Sequence, residues 1–424
     1  DADLKRRNLN YIVNDTAMSL IIISRTNRDR LQKISPELKF LFIDVDNNES
    51  KNISVTGILK SSQSLFIPND NIEDTSTLAV ILYTTGTTGP QKGVLLSHAN
   101  LISATENINQ FMKIGNWAIE SLPMRISHSF GFARLRCVFA VGGTVIIENG
   151  FLRPEMVLKN MLKYRANAIS SVPAGFTIIL DYFLEQFKEI SNNIQYIEIG
   201  SAPMQMKYKK RLIALCSKAK IFSHYGLTEA SRSTFLDFHS DQNHLNTVGK
   251  ASPNVLIKII REDKSICNPG ETGEIIVKGK MVTKGYWNKP DLTFNALNDG
   301  WLRTGDLGHV DDDGYLYLFG RKTEIINIGG LKVAPAEIEQ IIKEFEGVKE
   351  VAAIGVNSKS DITSVIIRVY IIKSDKDLSK KQLEKYCIEN LEAYKIPSEF
   401  VFVRDIPKTN SGKIKRQLLE ELPL

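Results

Sequence analysis

Cysteine is scarce in this chain: Cys137, Cys216, Cys267 and Cys387 are the four among 424 residues. They lie far apart and none has Cys-x-x-Cys spacing. That argues against a zinc site and for a reduced, cytoplasmic protein rather than a disulfide-stapled one. No run of 18 apolar residues occurs, so no membrane span is expected. The start, Asp1-Ala2-Asp3-Leu4-Lys5-Arg6-Arg7, lacks an initiator methionine and the apolar stretch of a signal peptide. There is no internal repeat and no low-complexity tract. The formal charge of +6, from 54 Lys+Arg and 48 Asp+Glu, is spread along the chain rather than blocked. That speaks against a nucleic-acid-binding tail, and an ordinary surface excess accounts for it equally well.

An apolar content of 43% allows a large core, and 424 residues predict more than one domain. Apolar runs such as Ser19-Leu20-Ile21-Ile22-Ile23, Phe40-Leu41-Phe42-Ile43, Thr144-Val145-Ile146-Ile147, Ala168-Ile169-Ser170-Ser171-Val172 and Tyr196-Ile197-Glu198-Ile199-Gly200 read as buried strands. Pro154 to Tyr164 and Met206 to Ser217 read as helices between them. This alternation predicts α/β architecture with parallel strands. From about Thr247 short strands with Pro/Gly turns take over, which predicts a β-rich subdomain. A boundary falls near Arg321-Lys322, after which strands Val351–Val356, Ser364–Ile372 and Glu399–Val403 and a helix Lys380–Leu391 form a compact α+β pattern. The expectation is a large domain of layered α/β subdomains over residues 1–320 and a small domain over 321–424.

Between the apolar run Leu78–Leu82 and Val94-Leu95-Leu96-Ser97-His98 stands Tyr83-Thr84-Thr85-Gly86-Thr87-Thr88-Gly89-Pro90-Gln91-Lys92-Gly93. Glycines let backbone N–H groups approach an anion, threonine hydroxyls add donors, and Lys92 adds a mobile cation. We read it as a phosphate cradle between a strand and a turn that opens a helix. It is not the Gly-x-x-x-x-Gly-Lys-Ser/Thr loop. Alone it reads better as a Ser/Thr/Gly loop with a stray lysine, and the blocks downstream reverse that.

Further blocks follow in order: Tyr225-Gly226-Leu227-Thr228-Glu229; Gly300-Trp301-Leu302-Arg303-Thr304-Gly305-Asp306 continuing to Gly320-Arg321-Lys322; Ile328-Gly329-Gly330-Leu331-Lys332-Val333; and Pro407-Lys408-Thr409-Asn410-Ser411-Gly412-Lys413-Ile414. Together with the Thr/Gly loop the set resembles the acyl-adenylate-forming superfamily, which holds acyl-CoA synthetases, adenylation domains of peptide synthetases and luciferases. The resemblance runs from about residue 8 to 416. Against that family the Thr/Gly loop arrives early, as though roughly 80–100 residues of the first domain were absent, judged by typical domain sizes.

The resemblance implies the following roles. Thr84, Thr85, Thr87, Thr88 and Lys92, with Gly86, hold the β- and γ-phosphates of ATP. Thr228 contacts the α-phosphate, and Glu229 with Thr84 holds Mg²⁺, a hard cation suited to oxygen donors. Tyr225, beside Gly226, stacks on adenine. Gly200, Ser201 and Ala202 line the adenine and the substrate. Asp306 accepts hydrogen bonds from the ribose hydroxyls, and Arg321 assists. Lys413 bridges the attacking carboxylate and the α-phosphate. The smaller domain then swings about Lys322, withdraws Lys413 and brings Gly329, Gly330 and Lys332 to a pantetheine arm. Read alone, Glu229 is a helix-N-terminal acid after its cap, Gly329-Gly330 a hairpin turn, and Lys408 to Arg416 a basic solvated tail.

Pro123-Met124-Arg125-Ile126-Ser127-His128-Ser129-Phe130-Gly131 resembles the family's pocket-entry block, with His128 at the position typical of acyl- and aryl-CoA synthetases. No acid stands between Pro123 and Arg136, and an unpaired ammonium in a buried pocket is costly. The expected substrate is therefore a fatty or aryl acid without an α-amine. Phe130, Val172, Pro173, Ala174, Gly175, Phe176, Gly200 and Ser231 are the expected pocket. Arg134 and Arg136 could meet a polar substrate group, but read better as surface or phosphate-side charges. The expected reaction joins the acid to the thiol of CoA. Carrier-protein phosphopantetheine is the alternative acceptor, and a non-catalytic nucleotide-binding homologue the remote one.

Overall fold

The computed structural model describes residues 6–23, 39–42, 74–84, 91–328, 331–358, 365–374, 377–408 and 413–422. Among these, a helix, Arg6–Thr16, leads to the parallel pair β1 (Leu20–Ile23) and β2 (Lys39–Phe42). Next, β3 (Leu78–Thr84) and β4 (Lys92–Ser97) run antiparallel, with Thr84 opposite Lys92. This corrects one expectation. Val94 to Ser97 continue a strand, so the Thr/Gly segment joins two strands of a hairpin, and the helix begins only at His98. The alternating inward apolar residues of Val94-Leu95-Leu96 already fit a strand. The expected turn was read from the polar residues that cap the following helix.

That helix, His98–Met112, starts with a reciprocal cap. Ser97 Oγ accepts from Asn100 N (3.2 Å) while Asn100 Oδ1 accepts from Ser97 N (2.9 Å). The Asn100 amide has a second task. Its Nδ2 donates to Lys280 O and Val282 O, both at 2.7 Å, and so ties the hairpin to a segment 180 residues away.

The main sheet contains β5 (Ile119–Leu122), β6 (Thr144–Ile147), β7 (Ala168–Ser171), β8 (Tyr196–Ile199), β9 (Lys220–Tyr225), β10 (Thr234–Asp237) and β11 (Lys250–Ala251). Their order is β11-β10-β9-β8-β7-β5-β6. The stretch from β9 to β6 is parallel, and β10 and β11 extend it antiparallel. One face packs helices Pro154–Lys163, Pro173–Tyr182, Leu184–Ser191 and Met206–Leu215 around Ile169, Ile197, Ile199 and Ile221. The other packs helices His98–Met112 and Ser129–Ala140 around Ala168, Tyr196, Phe222 and Phe235. Parallel strands covered on both faces are the arrangement the alternation predicts.

The β-rich unit comprises β12 (Leu256–Ile260), β13 (Gly273–Lys278), β14 (Gly285–Tyr286), β15 (Leu297–Asn298), β16 (Trp301–Val310) and β17 (Leu316–Arg321). Of these, β14 pairs with β4 and so closes back on the first hairpin. Beyond it, β18 (Ile326–Ile328) and β19 (Leu331–Val333) pair with Ile328 opposite Leu331. The last unit is the sheet β20 (Val348–Asn357), β21 (Val365–Lys373) and β22 (Glu399–Phe402), packed with helices Pro335–Glu344 and Lys380–Asn390. The layered α/β order, the β-rich insertion and the small α+β unit match the expected fold class.

Asn100→Ala removes a cap and strands two carbonyls, so the chain loses about 2 kcal/mol or more. Asn100→Asp keeps the cap acceptor but not the two donated bonds, and is expected to be no better. Apparent melting temperatures compared across the three proteins check this; full rescue by Asp reduces Asn100 to a cap.

Candidate active site

The candidate residues gather at the carboxyl ends of β8 and β9, where α/β sheets place their ligands. Immediately after β8 come Gly200, Ser201 and Ala202. Ser201 holds φ +72°, a left-handed conformation disfavoured for a residue with a side chain. After β9, Leu227 and Ala230 exchange backbone hydrogen bonds (3.0 and 3.2 Å), so Thr228 and Glu229 are the two central residues of a tight turn. No helix follows, which removes the helix-terminal reading of Glu229. Gly226 is required here: a Cβ would lie 2.5 Å from Arg232 N.

From that turn a continuous set of polar contacts runs both ways. Thr228 Oγ1 donates to Ser129 Oγ (3.1 Å), the first residue of helix Ser129–Ala140. Glu229 Oε1 accepts from Tyr286 OH (2.9 Å) on β14. The same Tyr286 ring lies 5.8 Å from Lys92 Nζ, within cation–π range. Tyr286 has no place in the motif blocks; only the pairing of β14 with β4 brings it between Lys92 and Glu229. On the other side, Tyr225 OH donates to Asp306 Oδ2 (2.6 Å). Asp306 Oδ1 pairs with Arg321 Nε (2.9 Å), its partner across β16 and β17. Arg321 Nη1 also donates to Thr304 O (2.7 Å).

Asp306 is 5% exposed. Burial raises its pKa above the ordinary carboxylate value, against the opposing pull of Arg321, Tyr225 and Lys413. Lys413 arrives from the far end of the chain. Its ammonium lies near enough for Arg321, Asp306, Glu229 and Glu324 all to act on its titration. Desolvation first, then repulsion from Arg321, lowers its pKa, and the three carboxylates oppose this. Lys413 is nevertheless exposed as a residue.

The segment carrying Lys413 is anchored on both flanks. Lys408 bridges Ile414, and Lys415 N donates to Pro407 O (2.8 Å). Arg416 Nη2 grips both oxygens of Glu339 (2.6 and 2.8 Å), and its Nη1 reaches Glu324 (3.1 Å). The basic-tail reading therefore fails for Arg416, which is an internal anchor.

His128 stands in extended backbone just ahead of helix Ser129–Ala140 and makes no side-chain cap. Desolvation and then the Arg125 charge lower its pKa, which favours the neutral imidazole. Thr84 and Lys92 flank the hairpin tip, while Thr85, Gly86, Thr87 and Thr88 lie outside the described residues. So do Gly329 and Gly330. Lys332 lies on β19, its side chain outside the described set. Ahead of the tip, Tyr83 OH donates to Asp15 (2.5 Å), and Trp287 Nε1 donates to Asp15 O (2.8 Å), so the first helix braces this hairpin.

Arg134 is a second correction, being neither a surface nor a phosphate-side charge. It is wholly buried, pairs with Glu120 (2.6 Å) and Glu198 (3.2 Å), and touches Tyr196 OH (3.1 Å). Glu198 also meets Arg232 (3.0 Å) and His224 (2.7 Å). Burial alone raises the Glu198 pKa, but Arg232, Arg134 and His224 together drive it well below the usual range. Arg136 Nη1 donates to Leu101 O (2.6 Å) and Thr105 Oγ1 (2.7 Å), with a pKa lowered by burial to about 10. Of the expected pocket residues, Phe176 faces away into the core around Ile169.

With this geometry in place, comparison with known proteins gives a class. The AMP-binding enzyme family model matches residues 1–287, and its C-terminal domain model matches 337–413. The chain belongs to this family. It is 32% identical over 353 residues to a long-chain-fatty-acid–CoA ligase of Salmonella typhimurium; the match covers 81% of this chain and 61% of that relative's length. Among solved structures it is similar to ATP-bound MatB from Rhodopseudomonas palustris, with a TM-score of 0.89 and 27% identity over 99% of this chain and 82% of that one. It is also similar to o-succinylbenzoate CoA synthetase from Bacillus subtilis in complex with an acyl-adenylate intermediate, with a TM-score of 0.84 and 25% identity over 99% and 82%.

Because burial raises the folded pKa of Asp306 above its ordinary value of 3.8, its ionised form is the costly one in the folded chain. The cost is absent below the unfolded pKa and complete once the pH exceeds the folded one. Asp306→Asn is therefore expected to raise the melting temperature of the nucleotide-free chain at neutral pH. The gain should vanish as the pH falls through the folded pKa toward 3.8. A lower melting temperature at neutral pH overturns this.

Proposed function

We propose that this chain activates a carboxylic acid as its adenylate at the expense of ATP and passes the acyl group to the thiol of CoA. The observation that carries the reading is the convergence of Lys413, from the C-terminal segment, on the Asp306–Arg321–Glu229 site of the large unit. A carboxylate is a poor electrophile until its oxygen has a better leaving group. Attack on the α-phosphate of ATP supplies one, with pyrophosphate expelled. The step needs positioned cations more than covalent help.

In this reading Asp306 and Arg321 fix the ribose, and Tyr225 both covers the adenine and orients Asp306 through its hydroxyl. Gly200, Ser201 and Ala202, with Gly226, form the walls beside the base. Thr228 addresses the α-phosphate, Lys92 the outer phosphates. Glu229, held at one oxygen by Tyr286, presents a hard oxygen donor beside Lys92 and fits a magnesium site, with Thr84 on the facing hairpin. Magnesium there supplies charge neutralisation on the departing pyrophosphate. Lys413 bridges the attacking carboxylate and the α-phosphate. His128, neutral and at the pocket entry, admits a carboxylic acid without an α-amine.

The domain division at 320/321 and the swing about Lys322 belong to the same proposal. Lys322 Nζ lies 3.6 Å from Glu274 in this arrangement, a contact that a swing breaks at small expense because the lysine is half exposed. Withdrawal of Lys413 would then open the site for the second step, with Lys332 near the thiol entry.

The test is pyrophosphate release with ATP and Mg²⁺ over a panel of acids, and thioester formation from chemically prepared acyl-AMP. Lys413→Ala is expected to slow pyrophosphate release by roughly 100-fold or more and to leave thioester formation little changed. Chelation of Mg²⁺ should abolish the first step only. Acid-independent release, or equal loss in both steps, defeats the reading. Thioester formed with a phosphopantetheine carrier and not with CoA reassigns the acceptor.

A further inference from the structure

The buried ion network lies beside the strand end at Gly200. On the acid-activating reading, a carboxylate delivered to the α-phosphate beside Thr228 would direct its tail away from Lys92, between the start of helix Ser129–Ala140, which Thr228 touches through Ser129, and the strand end at Gly200. Beside Gly200 stands His224. A Cβ on Gly200 would lie 2.1 Å from His224 Cε1 and 2.3 Å from Nε2, so the imidazole occupies the space that the glycine leaves. Phe130 meets the His224 ring edge-on at 4.8 Å, and the Arg232 guanidinium lies 4.7 Å over Phe130.

His224 is not free to turn aside. Its Nδ1 sits 2.7 Å from Glu198 Oε1, which also holds Arg232, while Glu198 Oε2 faces Arg134. Glu198 and Arg134 have no exposed side-chain surface. Separating buried charges that satisfy one another is strongly unfavourable. A long alkyl tail gains binding in proportion to the apolar surface it meets, and this wall offers charges already paired. A void beside Thr228, between Leu96, Leu101, Phe132 and Met281, has a volume of about 10 Å³, room for a single water.

We propose that His224, fixed by Glu198 and backed by Arg134 and Arg232, closes the acyl site behind Gly200, so that the substrate is a short aliphatic acid and not a long-chain fatty acid. The inference rests on the acid-activating reading above and narrows its substrate class against the names of the sequence relatives.

The 424-residue chain and its His224→Ala and His224→Gly variants are assayed for pyrophosphate release with acetate, propionate, butyrate, octanoate and palmitate. Binding of acetyl, butyryl, octanoyl and palmitoyl sulfamoyl-adenosine, stable mimics of the acyl-adenylate, is measured by calorimetry in parallel. For the wild type, kcat/KM is expected to peak at or below butyrate and to fall at least about tenfold by octanoate, with the mimics following the same order. Both variants should move the optimum toward octanoate without changing the KM for ATP. Wild-type turnover or binding of octanoyl or palmitoyl species equal to butyryl overturns the inference and leaves the activation reading standing. An unchanged length profile in variants that melt like the wild type also overturns it. If no acid is turned over but the short mimics bind best, the activation reading fails and the closed wall stands.

Discussion

A carboxylate held away from water is the constraint around which this cleft is organised. Asp306 sits on β16 between Tyr225 and Arg321, with the backbone just ahead of it steadied by Thr304, whose Oγ1 accepts from Asp306 N (3.0 Å). An ionised group in that position is expensive unless it is met by donors. Each donor comes from a different element: Tyr225 from the end of β9, Arg321 from the end of β17, and the Lys413 charge from the C-terminal segment. The seven-stranded sheet, the β-rich unit and the small C-terminal unit are thus brought to one point by one charge. Burial raises the Asp306 pKa in spite of those partners. On the proposed reading, the remaining demand for hydrogen bonds is what a ribose diol would meet, so that the cost of burying Asp306 and the binding of a nucleotide would be two aspects of one arrangement.

Much of this is legible in the chain. The β/α alternation gives the parallel sheet because strands buried on both faces are written as continuous apolar runs. Asp306, Arg321 and Lys413 stand in motif blocks whose order carries their proximity before any fold is known. The Thr/Gly segment beyond Thr84 lies outside the described residues, and its downstream neighbour continues a hairpin and does not start a helix. Val94-Leu95-Leu96 fits a strand by its alternation, and pairing with β3 on one side and β14 on the other decides it.

What the sequence does not disclose are the contacts that pairing across long separations creates. Tyr286 becomes part of the site because β14 closes on β4. Asn100 looks like a capping residue and is also a tether, because its unused donors face the 280–282 segment. The same limit applies to charge. Arg134 is an arginine in a helix with no visible partner nearby in sequence, and such a residue reads as surface. Glu120, Tyr196 and Glu198 surround it only once β5 and β8 lie in one sheet under helix Ser129–Ala140. Burial of ionisable groups is a tertiary property, and composition carries no trace of it.

The placement of Lys413 shows how a distant residue is made dependable. A lysine on a free tail spreads its charge over many rotamers, and ordering it draws on binding energy. Here the two ends of its loop are closed by the Lys408–Ile414 bridge, and Arg416 fastens the segment to Glu324 and Glu339 at once. Glu324 lies two residues beyond Lys322, and Glu339 lies on helix Pro335–Glu344, which packs into the core of the small unit. The link therefore joins the segment that leaves the large unit directly to the segment that bears the Lys413 ammonium. In the proposed swing about Lys322, Lys413 would travel with the small unit as one body, its ammonium either at the α-phosphate position or withdrawn. A loosely held lysine would blur those two states and leave a cation near the acyl-adenylate when the thiol arrives.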